Sequence, residues 1–103
     1  MFDLRQIQKM QKELQERMER VREELKQKTV EAFSGGGMVT AVANGAQEIV
    51  AIKIRPEAVD VNDLEMLEDL VVAAVNMALE KSKELNEEEL SKLTGGLKLP
   101  GLF

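Results

Sequence analysis

Arg5, Lys9 and Lys12 stand at i, i+4 and i+7 near the start of the chain, a spacing that puts three cations on one side of an α-helix. Cations so arranged do electrostatic chemistry: they neutralise a row of phosphates and release the counterions condensed on them. Arg5 is flanked by Gln6 and Gln8 and has no acid four residues away, so nothing on its own helix accounts for it. A second basic group, Arg22, Lys26 and Lys28, follows toward the end of the same segment. The remaining reactive residue types lead nowhere comparable. Glu68-Asp69 and Glu87-Glu88-Glu89 fall on polar helix faces, and the chain has neither Cys nor His, which removes thiolate nucleophiles, the commonest general base and the commonest transition-metal ligands. Gly35-Gly36-Gly37 lacks the Lys-Ser/Thr of a phosphate-cradling loop and the GxGxxG spacing, and reads as a turn. No catalysis, cofactor, metal or small-molecule substrate is expected.

The element that must carry the basic stripe is a long helix. Leu4, Ile7, Leu14, Met18, Val21 and Leu25 follow a heptad seam with Gln11 in one seam position, which predicts a helix over about residues 3–28 with Asp3 as its N-cap. At 1.5 Å per residue it is about 38 Å long. Gln11 is either a register-fixing polar residue or a tolerated one near a frayed end. On the outer face the basic stripe is followed by Glu16, Glu19 and Glu23. A purely solvated face would instead be laced by Glu13–Arg17, Glu16–Arg20 and Glu24–Lys28 pairs, each contributing a few tenths of a kcal/mol.

Three strands follow, over about 29–34, 38–44 and 48–54, with Asn44-Gly45 as the turn signal between the last two, predicting an antiparallel meander. Alternation assigns Val39, Ala41, Ala43, Val50, Ile52 and Ile54 to the inner face, and Thr40, Val42, Ala51 and Lys53 to the outer one. Arg55-Pro56 ends the third strand. A second helix over about 63–94, capped by Asn62 or Asp60, presents Leu64, Leu67, Leu70, Val71, Ala74, Val75 and Ala78 as a broad apolar face, with Thr94-Gly95-Gly96 as its stop and an apolar tail over 95–103. Acids at 63, 65, 68 and 69 suit the positive end of the helix dipole and need no ligand.

The predicted class is α+β, in the order α-β-β-β-α, as one domain over 1–103, consistent with a chain that is 44% hydrophobic and 32% charged. Strands of about 20 Å cannot underlie helices twice as long, so each helix must overhang, and a homodimer would cover the exposed stripes. The first ten residues lack the order of a secretory signal and no apolar run reaches the roughly 20 residues of a membrane span, so a cytoplasmic protein with no membrane partner is expected. The net charge of −5 is unevenly distributed: residues 1–28 carry eight Lys/Arg against six Asp/Glu, and residues 57–85 two against eight. An anionic partner would therefore meet the first helix. With no Trp, no Tyr and three Phe, stacking on unpaired bases has little support.

The stretches KMQKELQERM, GMVTAVANGAQEIVAIKI, IRPE, LEMLEDLVVAAVNMALEKSKEL and KLTGGLKLPGLF, in this order and over essentially the whole chain, resemble the bacterial nucleoid-associated YbaB/EbfC family. The most specific marks are the VANG turn before IKIRPE, the LEDLVVAAVNMA helix and the TGGLKLPGLF ending. The resemblance implies a cytoplasmic, nucleoid-located homodimer shaped like tweezers that binds double-stranded DNA through its N- and C-terminal helical regions. By region and charge it implicates Arg5, Lys9 and Lys12, together with Lys81, Lys83 and Lys92. The alternative from another class is a protein-interaction adaptor or small chaperone-like clamp gripping a partner protein with its helical arms.

Overall fold

A computed structural model describes residues 3–93. The elements run α1 (Leu4–Gln27), β1 (Thr29–Ser34), a 3-10 turn (Gly35–Gly37), β2 (Val39–Asn44), β3 (Ile49–Ile54), a second 3-10 turn (Pro56–Ala58) and α2 (Leu64–Leu93). Two helices thus flank a three-stranded antiparallel sheet in the expected α-β-β-β-α order, with β2 at its centre. The stop at Thr94-Gly95-Gly96 and the 95–103 tail lie outside the described residues.

Local chemistry explains each boundary. The Asp3 carboxylate accepts from the Gln6 backbone N–H at 2.8 Å, and the Gln6 side-chain oxygen accepts from the Asp3 N–H at 3.3 Å, so two orphan donors of α1 are satisfied reciprocally. α2 is capped by Asp63, whose carboxylate accepts from the Met66 N–H at 3.2 Å, and not by Asn62 or Asp60. Asp60 is committed one turn earlier, accepting from the Asn62 N–H at 2.9 Å. Gly35, Gly36 and Gly37 have φ of 59°, 67° and 92°, a run that only glycine sustains and that reverses the chain between β1 and β2.

The core is a seam of small residues. Ala74 and Ala78 of α2 lie against Ala32 of β1 and Val39, Ala41 and Ala43 of β2, all fully buried, with Val30, Ile49, Leu67, Leu70, Val71 and Val75 packed around them. Alanine on alanine lets α2 settle close to the sheet. α2 crosses β1 and β2 and scarcely reaches β3. Val39, Ala41 and Ala43 are inward as the alternation predicts, but Val50 is not. A bulge between Val42 and Ala43 pairs Ala43 with Ile49 and drops Val50 out of the ladder. Ile52 and Ile54 face the same side as the core yet remain 43% and 41% exposed, because no helix among the described residues covers that edge.

The protein measures 71 × 20 × 16 Å, longer than either helix alone, which are about 36 and 45 Å at 1.5 Å per residue. Only the last part of α1 touches the body: Leu25 is buried, Met18 and Val21 are half-buried, and every residue from Asp3 to Arg17 is exposed. The helix is an arm.

Candidate nucleic-acid interface

On the arm, 100° per residue places Arg5, Lys9 and Lys12 within about 60° of one another and spreads them over about 10 Å of axis. Their face is opposite the apolar stripe of Leu4, Ile7, Met10 and Leu14, which are 69%, 41%, 55% and 41% exposed. Among the described residues no ion pair involves Arg5, Lys9 or Lys12. The three pairs expected of a solvated face, Glu13–Arg17, Glu16–Arg20 and Glu24–Lys28, do not form there either. Lys26 bonds Glu23 at 3.5 Å, and Lys28 reaches past Glu24 to Glu89 of α2 at 2.8 Å. Long side chains on an exposed helix gain too little from an i,i+4 partner to be held against their own entropy.

The remaining predicted cations are not gathered with the first three. Arg22 and Lys26 are exposed on α1 but lie beyond Glu16 and Glu19, on either side of Glu23, so acidic residues separate them from the first three cations. On α2, Lys81 donates to the Glu31 backbone carbonyl at 2.8 Å, and Lys92 contacts Glu88 at 3.9 Å and Glu89 at 3.6 Å. Lys83, two residues from Lys81, points about 200° around the helix from it. Since Glu89 is the partner of Lys28, Lys92 sits beside the sheet end of α1, away from the Arg5 end.

At the body end of the arm lies a junction that sequence reasoning missed. Gly45, first residue of the β2–β3 loop, donates its N–H to two carbonyls at the end of α1, Leu25 at 2.8 Å and Lys28 at 2.9 Å. The Leu25 carbonyl also accepts from the Lys28 N–H at 3.3 Å, whereas the Lys28 carbonyl, at the C-cap, lies past the helix's own hydrogen-bond ladder. The Gly45 carbonyl accepts from the Asn86 side chain at 2.9 Å, and the buried Ser82 hydroxyl donates to the Asn44 carbonyl at 2.5 Å. Asn-Gly does mark the hairpin, but the positive φ belongs to Gln47, at 64°, closing a three-residue loop. Gly45 is required for proximity: a Cβ there would sit 2.7 Å from Leu25 Cδ2 and 2.9 Å from the Leu25 carbonyl oxygen. A signal existed in the sequence. Ala74, Ala78, Ser82 and Asn86 form one i,i+4 row on α2, and its change from alanine to hydrogen-bonding residues marks where the sheet ends and a backbone loop begins.

The hydrogen bond from Lys28 holds Glu89 below the ordinary 4.5, assisted by the charges of Lys28 and Lys92 and opposed by desolvation. The same bond raises Lys28 above 10.5. A depressed carboxylate adds stability above its unfolded value and loses it as pH falls through the folded one; a raised lysine does the reverse at alkaline pH. Wild type should therefore melt above Glu89→Gln at pH 7, and the gap should close as pH falls below 4.5, as followed by circular dichroism between pH 3 and 7. A gap constant over that range would contradict the pairing.

Among the described residues no group of acids converges so as to hold a metal ion, and no helix is long and apolar enough to cross a membrane. A profile of the YbaB/EbfC DNA-binding family matches residues 1–97. A nucleoid-associated protein of Thermoanaerobacter pseudethanolicus is 53% identical over 102 residues, covering 99% of this chain and 92% of that one. One from Acetivibrio thermocellus is 57% identical over 101 residues, covering 97% and 86%. The crystal structure of an uncharacterized protein from Helicobacter pylori superposes with a TM-score of 0.79 at 24% identity, covering 93% of this chain and all of that one, and so shares the fold.

Proposed function

The chain belongs to the YbaB/EbfC DNA-binding family, and on that footing we propose that it works as a homodimer holding double-stranded DNA at the cytoplasmic nucleoid, without catalysis. The observation that carries this reading is the cationic face of α1: Arg5, Lys9 and Lys12, exposed and free of ion pairs among the described residues, on an arm that stands clear of an otherwise acidic body. Arg22 and Lys26 lie farther along the same arm as secondary contacts. Lys81, Lys83 and Lys92 are candidates on α2, of which Lys81 and Lys92 would have to exchange their present partners for phosphate.

The twofold assembly is supported by what a single protomer leaves wet. The stripe of Leu4, Ile7, Met10 and Leu14, the open edge of β3 and its uncovered Ile52 and Ile54 together forgo several side chains' worth of burial, each on the order of 1.5–3 kcal/mol. Sedimentation should give about twice the chain's 11.5 kDa, and a purely monomeric species at micromolar concentration would remove the dimer from the reading.

Two arms present six cations, so the log–log dependence of duplex affinity on salt should have a slope near −5, read by fluorescence anisotropy of a labelled duplex. The contacts go to the backbone, which makes the binding weakly selective for sequence. A protein-clamping adaptor would show no duplex retention at any salt, and that outcome would reverse the conclusion.

A further inference from the structure

The cationic face is useful only if the arm is held in one direction, because α1 is joined to the body at one end alone. From Leu25 to Arg5 is about 30 Å of helix. A tilt of about 10° at the junction moves the Arg5 end by about 5 Å, well beyond the reach of a hydrogen bond to phosphate. A chain link after a helix ordinarily permits such tilts, and the bond from Lys28 into β1 at Thr29 is such a link.

We propose that the β2–β3 loop tip is a positioning device for the arm: Gly45 clasps the end of α1 by its N–H, Asn86 and Ser82 of α2 hold the loop by the carbonyls of Gly45 and Asn44, and Lys28–Glu89 ties α1 directly to α2. The three elements meet at one point from three directions, which removes the hinge a single connection would leave. The Gly45 N–H is shared between the carbonyls of Leu25 and Lys28, so a rotation of α1 that favours one bond stretches the other. The absence of a Cβ sets the closeness. At 2.9 Å from the Leu25 carbonyl oxygen an added methyl meets backbone, which cannot step aside as a side-chain tip can. This role rests on the DNA-holding reading for its purpose but not for its geometry, which concerns the arm in the free protein.

The chain has no cysteine, so Gln15→Cys on the arm and Lys53→Cys on the sheet accept two nitroxides cleanly, and double electron–electron resonance in an excess of unlabelled chain reports the distance within one protomer. One narrow distribution is expected. Gly45→Ala should shift and broaden it by several ångströms, and Asn86→Ala and Lys28→Met should broaden it less, while Lys28→Arg keeps it narrow. Asn86→Ala and Lys28→Met serve if Gly45→Ala fails to fold, since neither introduces a clash. On duplex DNA the folded junction variants should lose at least about tenfold in affinity at an unchanged salt slope, because all six cations remain. A distribution that is broad in wild type, or unaltered in every folded junction variant, overturns the proposal. Altered distances with duplex affinity unchanged would keep the positioning role and instead count against the arm as the DNA contact.

Discussion

Converting Arg5, Lys9 and Lys12 to glutamate is expected to abolish retention of duplex DNA at about 100 mM salt while leaving the fold and the assembly intact. Across a fourfold rise in salt from 50 to 200 mM, a slope near −5 corresponds to about a thousandfold loss for wild type, so six cations supply most of the measurable affinity. The triple variant replaces six attractions by six repulsions in a dimer, and its affinity should fall at least that far. The fold has little to lose. All three side chains are exposed and unpaired among the described residues, the first turn of α1 contains no acid, and a glutamate at position 5 suits the helix dipole better than arginine does. New like-charge neighbours at Glu13 and Glu16 cost a few tenths of a kcal/mol each. An anisotropy titration that finds the triple variant within a factor of two of wild type would remove the arm from the DNA contact.

Leu25→Ala should be the most damaging single truncation on α1. Leu25 is the one residue of that helix that is fully buried, at 2% exposure, and its side chain fills the space against which Gly45 is pressed. Removing it deletes the transfer free energy of the lost atoms and leaves a cavity, for about 2–5 kcal/mol. For a domain of this size each kcal/mol lowers the melting temperature by about 4–8 °C, so a drop of at least about 10 °C is expected in a thermal melt. Glu16→Ala, exposed on the outer face of the arm, should change the unfolding free energy by less than about 0.5 kcal/mol. Equal effects at the two positions would mean that Leu25 is not the anchor of α1.

The order of elements, the apolar faces of both helices, the hairpin and the cationic stripe were all legible in the residues, because each rests on a local rule. Periodicity selects helix or strand, Asn-Gly marks the reversal between β2 and β3, and i, i+4, i+7 spacing puts Arg5, Lys9 and Lys12 on one face whatever the helix packs against. The errors arose where residues distant in sequence compete for the same partner. Lys28 pairs with Glu89 and not with Glu24, since a carboxylate fixed on a second helix orders fewer rotamers than two mobile chains on one helix. One further error was local: Asp63 caps α2, and Asp60 is already spent on a turn.

Val50 leaves the inner face because the bulge is set by how β3 meets β2, and strict alternation carries no information about an extra residue. Gly45 has the same lesson: its type was visible and its purpose was not, since contact with Leu25 exists only once α1 has been brought back against the loop. Local sequence thus decided which pieces form and which faces they bear. The direction of the arm was settled by tertiary packing alone, because it depends on hydrogen bonds between α1, the hairpin tip and α2, elements tens of residues apart whose meeting no local periodicity encodes.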